Sequence, residues 1–383
     1  MLNLAIVSPS ITNKFETFVQ SHVIGIKAHS FLYYGDLVPR YIDGEGLFSM
    51  DNKHLSDIKS WLNVFKCVNP FLLYKSGLSL KEFLFVHSLK KHKIDVVLAE
   101  YGTTSAEIVN SCKYANIPLV AHFHGRDSSA YSIIKDYKKK YEDLFAYASA
   151  VVIVSKEMQI RLEQLGCPKD KMIYAPCVPD EKFAQLHALL DQPSFCFVGR
   201  FTDKKAPYAV VMAFKKVIKK IPYARLIMSG DGPLLNSTKN IVKILGIEDN
   251  VIFTGIITPE EYRTFLLHCR AYVQHSIIAD DGDMEGTPVA IMEASAAGVS
   301  VISTIHAGIP DIIIDGETGL LNKELDVDGM AANMILLLED KDLAVRLGNA
   351  GKQRMSEHFT KRWQMNILTK AVTDAALNKV NKI

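Results

Sequence analysis

Phe197-Val198-Gly199-Arg200-Phe201-Thr202-Asp203-Lys204-Lys205-Ala206 joins a short apolar run at 195–198 to an amphipathic run at 207–219. A buried strand that passes through a glycine turn into a helix is the repeating unit of parallel α/β sheets. Working outward, the unit recurs. After residue 190, strand patterns at 195–198, 225–229, 251–254, 271–275 and 299–303 alternate with helical patterns at 207–219, 234–245, 259–269 and 288–297. Before it, strand patterns fall at 4–8, 31–34, 95–99, 119–122, 150–155 and 172–175, with helical patterns at 80–91, 104–115, 132–147 and 156–165 between them. Thr258-Pro259-Glu260-Glu261 carries a capping residue, a proline at the first helical position and a glutamate at the third, which is a strong helix start. The pattern predicts two doubly wound α/β domains in tandem, 1–190 and 191–359. Ligands of such sheets sit at the carboxyl ends of the strands, so the cleft between the domains is the expected site.

The 383 residues suit two domains at roughly 150 residues each. Hydrophobic residues at 48% and charged residues at 22% are ordinary for a globular chain and exclude a disordered tail, a collagen-like repeat and a disulfide-stapled module. No apolar run approaches the roughly 20 residues that span a bilayer, and the apolar start lacks the basic flank of a signal peptide. A cytoplasmic address is expected. The six cysteines form no Cys-x-x-Cys pair and no cluster with histidine, so reduced thiols packed as small hydrophobes are expected, with no structural zinc.

A net charge of +2 argues against nucleic acid as the partner. The first half is slightly basic, with local clusters at Lys90-Lys91-His92-Lys93 and Lys138-Lys139-Lys140. Each reads first as a solvated helix face and second as a face resting on anionic lipid at the inner membrane.

The densest chemical signal is Asp281-Gly-Asp-Met-Glu-Gly-Thr-Pro-Val-Ala-Ile-Met-Glu-Ala294. Thr287 and Pro288 suit an N-cap and a first helical residue, so the free amides of Val289 and Ala290 would meet an anion that Gly286 lets approach. Glu285 precedes the helix, and the eight residues to Glu293 set the second carboxylate two turns inside it. Carboxylates beside a phosphate site suit the hydroxyls that flank a phosphate, as in a sugar nucleotide. Arg200 and Lys205, just past a strand, suit a diphosphate. Ser229-Gly-Asp-Gly-Pro233 reads as a tight turn, and no G-x-G-x-x-G dinucleotide fingerprint occurs.

In this order, Gly199-Arg200 with Lys205, Gly230-Asp231-Gly232, Glu285 to Glu293, and Ala307-Gly-Ile-Pro-Asp-Ile-Ile-Ile-Asp-Gly-Glu-Thr-Gly-Leu320 resemble retaining glycosyltransferase family 4. Asp281 to Pro288 with Ser303-Thr-Ile-His-Ala-Gly-Ile-Pro310 most resembles its colanic acid and amylovoran type, from bacterial exopolysaccharide synthesis. The resemblance implies a GT-B fold: two Rossmann-like domains facing a cleft, with a last helix at about 360–383 returning to the first domain and Trp363 as its anchor. It implies that Arg200 and Lys205 hold the donor diphosphate and that the amides from Gly286 through Thr287 and Pro288 to Val289 and Ala290 meet the phosphates. Glu293 would bind the ribose and Glu285 the transferred sugar. Ala121-His-Phe-His-Gly-Arg-Asp127 resembles the family's His-Gly-x-Asp segment, which sets His124 beside the reacting sugar, with His122 packed in the strand. Asn13 to Thr17 matches an N-terminal loop near the acceptor or diphosphate.

Ala206 stands where the family carries glycine, and Asp281-Gly-Asp283 mimics a metal motif but reads as a loop, since the family needs no divalent ion. The expected function is retaining transfer of a hexose from a nucleotide-diphosphate sugar, a UDP-sugar by the habit of these relatives, to a hydroxyl of a glycan or lipid-linked glycan. The rivals are a GDP-mannose-dependent mannosyltransferase, a GT-B sugar-nucleotide epimerase, and a non-catalytic sugar-nucleotide-binding subunit.

Overall fold

The computed structural model describes residues 1–10, 17–48 and 70–380. Asn13 to Glu16 of the N-terminal loop and Cys67 lie outside them; Thr17 opens a helix, Thr17–Gly25. The chain forms two compact units. One comprises Met1–Val154, Met158–Ala175 and Met365–Ile383; the other comprises Ser155–Glu157 and Pro176–Gln364.

The first unit is built on an eight-stranded sheet. Its strands are β1 (Asn3–Val7), β2 (His29–Tyr34), β3 (Tyr41–Ile42), β4 (Gly46–Leu47), β5 (Val96–Glu100), β6 (Leu119–His122), β7 (Ala150–Ile153) and β8 (Met172–Tyr174). Their order is β4-β3-β2-β1-β5-β6-β7-β8, parallel from β2 to β8 and antiparallel at β3 and β4. Between their ends the central strands β1, β5, β6 and β7 are apolar because both faces are covered. Successive side chains alternate between two cores: Ala5, Val7, Val97, Ala99 and Ala121 enter one, while Leu4, Ile6, Val96, Leu98 and Val120 enter the other.

The second core is completed by Met365, Leu368, Val372 and Ala375 of the helix Lys361–Val380. Those residues, not Trp363, are the anchor. Trp363 sits on the other unit's side of the division, edge-on to Phe359.

The second unit holds six strands: β9 (Gln192–Val198), β10 (Arg225–Ser229), β11 (Val251–Gly255), β12 (Cys269–Val273), β13 (Ser300–Thr304) and β14 (Leu320–Asn322). Their order is β11-β10-β9-β12-β13-β14, with every pair parallel. The capping box at Thr258 forms as the spacing requires, with Thr258 and Glu261 each taking the other's backbone amide. Unexpected from the sequence are the short strands β3, β4 and β14 and the helices Val327–Glu339 and Lys341–His358, each capped by an aspartate, Asp326 and Asp340. The chain enters this unit at Pro176 rather than near 190, because Phe183 and Leu190 pack into its core. No helix among the described residues is long and apolar enough to cross a membrane. The five described cysteines are buried and form no disulfide among the described residues.

Candidate active site

In the second unit, the loop after β9 and the loop after β10 lie against each other. Gly199 donates to the Ser229 carbonyl at 3.0 Å and Phe201 to the Asp231 carbonyl at 2.9 Å. Gly230 has φ +132°, and a Cβ there would run into the Gly199 carbonyl, so this turn admits only glycine. That approach fixes where Arg200 and Lys205 begin. Arg200 is exposed, and among the described residues its guanidinium has no ion-pair partner.

Lys205 is nearly enclosed and pairs with Glu285 at 2.9 Å, while its ammonium also donates to the Gln274 side chain at 3.3 Å. Burial alone would raise the Glu285 carboxyl, but the Lys205 and Lys204 charges prevail and hold it at about 2. Burial pushes Lys205 down, and Glu285 offsets part of that. Lys204 reaches Asp283 at 3.1 Å and the Met284 carbonyl at 3.3 Å, clipping the loop that delivers Glu285. Asp281 accepts from the Asp283 amide, so both carboxylates of the Asp281-Gly-Asp283 motif bind loop partners.

A second layer holds that loop from behind. The Glu285 amide donates to His306 Nε2 at 3.2 Å, and His306 Nδ1 faces Glu324 at 2.7 Å. Glu324 also accepts the Ile278 amide, so one carboxylate steadies both ends of the loop. The sequence marked His306 only as part of a motif; its role comes from the fold.

The helix after Glu285 begins later than the spacing suggested. It spans Val289–Ala296, with Pro288 as N-cap and no side-chain cap. Thr287 is not the cap: its hydroxyl accepts the Cys177 amide at 3.1 Å instead. The Val289 amide donates to the Thr287 carbonyl, so Val289 does not offer the free donor expected of it. The Met292 amide donates to the Pro288 carbonyl, so the first-turn amides without an intrahelical partner are those of Ala290 and Ile291. Gly286 lies so close to Gly308 that a Cβ on Gly308 would meet the Gly286 carbonyl. Glu293 is one turn inside the helix, not two, and partly exposed. Burial, with Asp180 nearby, pushes its carboxyl up to about 8. Ala206 adopts φ +34° at the head of the helix Pro207–Lys220, a conformation that suits glycine better.

In the first unit, Glu100 at the end of β5 is fully enclosed. His22 Nδ1 lies 2.7 Å from Oε1; His124 Nε2 and His122 Nδ1 lie 2.8 and 3.0 Å from Oε2. Burial would raise the carboxyl, yet the surrounding imidazoles hold it well below the usual range. Burial pushes His122 down to about 4 and also lowers His124. Asp127 accepts the amides of Gly102, His124 and Gly125 and so shapes the loop that carries His124. Tyr101, which follows Glu100, sits at φ +72°, and its ring lies against His124. The sequence offered one weak signal for Glu100: a lone carboxylate at the carboxyl end of an apolar strand. Of the basic clusters, Lys91 and His92 meet Glu45 and Lys140 meets Glu107, while Lys138 and Lys139 are exposed.

The family model for glycosyl transferases group 1 matches residues 179–354, and that for Glycosyltransferase Family 4 matches 47–182. Amylovoran biosynthesis glycosyltransferase AmsK of Erwinia amylovora is 30% identical over 276 residues, covering 70% of this chain and 68% of its own. A GDP-mannose-dependent alpha-(1-6)-phosphatidylinositol monomannoside mannosyltransferase of Mycobacterium tuberculosis is 29% identical over 189 residues, 49% of this chain and 48% of its own. The crystal structure of Anabaena HepE in complex with UDP superposes with a TM-score of 0.76 at 15% identity, covering 98% of this chain and 100% of HepE. Both units thus follow the GT-B pattern of such enzymes.

Proposed function

The chain belongs to the glycosyltransferase family of these group 1 and family 4 models, and on that premise we propose that it moves a hexose from a nucleotide-diphosphate sugar to a hydroxyl of a growing bacterial surface or exopolysaccharide glycan, with the anomeric configuration retained. One observation carries the reading. An exposed guanidinium without an ion-pair partner among the described residues, Arg200, stands on the same short loop as Lys205, whose ammonium is already fixed on Glu285. Departure of a sugar from a diphosphate leaves negative charge on the diphosphate, and preorganised cations lower that barrier. Arg200 and Lys205 take that role, with the first-turn helix amides of Ala290 and Ile291 assisting. No divalent ion is required in this scheme. Glu285 accepts from hydroxyls of the transferred sugar, Glu293 accepts from the ribose, and His124 in the first unit meets the sugar.

We assign UDP as the nucleotide. The exopolysaccharide resemblance favours it, whereas the mycobacterial relative's dependence on GDP-mannose supplies the second reading. The acceptor is a glycan or lipid-linked glycan met at the cytoplasmic membrane face, where exposed Lys138 and Lys139 suit anionic lipid.

Thermal shift against UDP-, GDP- and ADP-sugars tests the donor, with selective stabilisation by UDP-sugars expected. Product analysis by NMR tests the chemistry. Retained anomeric configuration in a glycan product supports the proposal; an inverted product, a free epimerised sugar nucleotide, or nucleotide binding without turnover each refutes it.

A further inference from the structure

Glu100 presents an unusual problem. It is a fully enclosed carboxylate with no lysine or arginine partner among the described residues, and three imidazoles supply its polar contacts. Two arrangements could neutralise the strain of burying that charge. In the first, a cation sits among His22, His122 and Glu100, each offering one ligand atom within 4.8 Å of the others; the ring atoms that face the carboxylate are Nδ1 in both histidines. Metallated at Nδ1, both rings would carry hydrogen on Nε2. Among the described residues those Nε2 atoms of His22 and His122 are buried without partners, so each would become an unsatisfied donor. In the second arrangement the rings turn N–H toward the carboxylate: His22 through Nδ1 to Oε1 at 2.7 Å and His124 through Nε2 to Oε2 at 2.8 Å. The buried Nε2 atoms then carry only lone pairs. His122 Nδ1, 3.0 Å from Oε2 but not aligned for a hydrogen bond, adds its dipole. The second arrangement satisfies more groups.

We infer that Glu100 is a positioning residue that fixes His124 as the Nε2–H tautomer and reserves its Nδ1 lone pair as a hydrogen-bond acceptor for a hydroxyl of the bound sugar. With Nε2 bound to Glu100, Nδ1 is the one ring atom left for a ligand, and it has no partner among the described residues. The ring cannot tumble to exchange the two nitrogens. Phe18 lies against it with centroids 4.3 Å apart, His122 at 4.1 Å and Tyr101 at 4.9 Å. Tyr101 sustains a left-handed backbone, φ +72°, between Glu100 and the helix Gly102–Ala115. Such strain persists where the surrounding structure fixes it. The sugar-facing half of this inference rests on the glycosyl-transfer proposal; the tautomer does not.

The full-length chain labelled with 15N-histidine, read by long-range proton–nitrogen correlation, tests it, with His124→Gln identifying the ring. The expected spectrum from pH 6 to 8 shows His124 neutral, with hydrogen on Nε2 and a bare Nδ1. Glu100→Gln should shift the ring to a mixture of tautomers. A wild-type ring protonated at Nδ1, a tautomer unmoved by Glu100→Gln, or one equivalent of transition metal in the purified chain would overturn the inference. Should Glu100→Gln fail to fold, the wild-type spectrum and metal content decide alone. No donor or turnover enters those spectra, so the tautomer can stand or fall independently of glycosyl transfer. In kinetics, Glu100→Gln should lower kcat at least tenfold with nucleotide affinity within twofold of wild type. An unchanged kcat sinks the sugar-facing role, and lost affinity points to general damage and counts against it as well.

Discussion

Glu100 in the first unit and Glu285 in the second are both enclosed carboxylates, yet the two units neutralise them by opposite means. Glu285 faces the ammonium of Lys205, with Lys204 close by. Glu100 faces imidazoles alone among the described residues. The difference matches the roles proposed for the two sites. An ammonium beside Glu285 leaves net positive charge once Arg200 is counted, which suits a phosphate. The groups around Glu100 are ring nitrogens rather than an ammonium; they fix ring orientations, which suits a hydroxyl. One unit holds charge and the other holds direction.

The largest effect tests whether the second unit's cations serve a ligand. Lys205→Ala and Arg200→Ala should each lower turnover by about a hundredfold to a thousandfold in initial-rate assays. Lys205→Ala should also cost about 3–5 kcal/mol in urea unfolding, because Glu285 is left buried and unpaired. Arg200→Ala, at an exposed position, should leave stability nearly unchanged. Equal stability losses in both variants would erase the distinction between a structural and a ligand-facing cation.

Acid should discriminate next. Glu285 is held at about 2, below its ordinary value of 4.5. Its contribution is therefore present above pH 4.5 and lost as pH falls toward 2. Urea midpoints at pH 6, 4 and 3 should drop in the wild type and drop less in Glu285→Gln. Parallel curves would break the assignment of that acid sensitivity to Glu285.

Glu293 runs the other way. Its carboxyl is pushed up to about 8 from 4.5, so ionisation disfavours the empty fold. The stabilisation from its protonated form is complete below pH 4.5 and is lost as pH rises through about 8. Ribose hydroxyls that donate to the carboxylate would draw off that proton. Calorimetry of nucleotide binding at pH 7 in two buffers of different ionisation enthalpy should show release approaching one proton, absent in Glu293→Gln. Release that persists in the variant would remove Glu293 from the ribose.

The smallest effect concerns Ala206. Ala206→Gly relieves a left-handed backbone worth about 1–2 kcal/mol but loses a buried methyl and adds freedom to the unfolded chain. The net change should stay within about 1 kcal/mol, with nucleotide affinity unchanged. A larger loss in thermal unfolding would show that the methyl matters more than the strain.

The second unit's site was largely legible in the chain, for a physical reason. Arg200, Lys205, Glu285 and Glu293 lie on or beside loops whose glycine and proline punctuation constrains the backbone locally. Gly230 shows how local that is: its φ of +132° and the abutting Gly199 carbonyl leave no room for another residue. Thr287 marks where this legibility ended. Its sequence context promised a cap, but the Cys177 amide, 110 residues away, claimed the hydroxyl. The first unit's cluster was hardly legible. His22, Glu100 and His122 sit on three separate elements, and nothing in their own neighbourhoods marks them as partners.

From the sequence alone came the two parallel-sheet units, most of their strands and helices, and the loop cations. Those follow from apolar periodicity and turn chemistry, which act over a few residues. Tertiary structure alone decided the entry to the second unit at Pro176, the return of Met365 to Ala375 to the first core, and the pairing of Lys205 with Glu285. It also gathered three imidazoles around Glu100. Contacts between residues tens to hundreds of positions apart depend on which faces the sheets bring together, and that is settled only when the cores close.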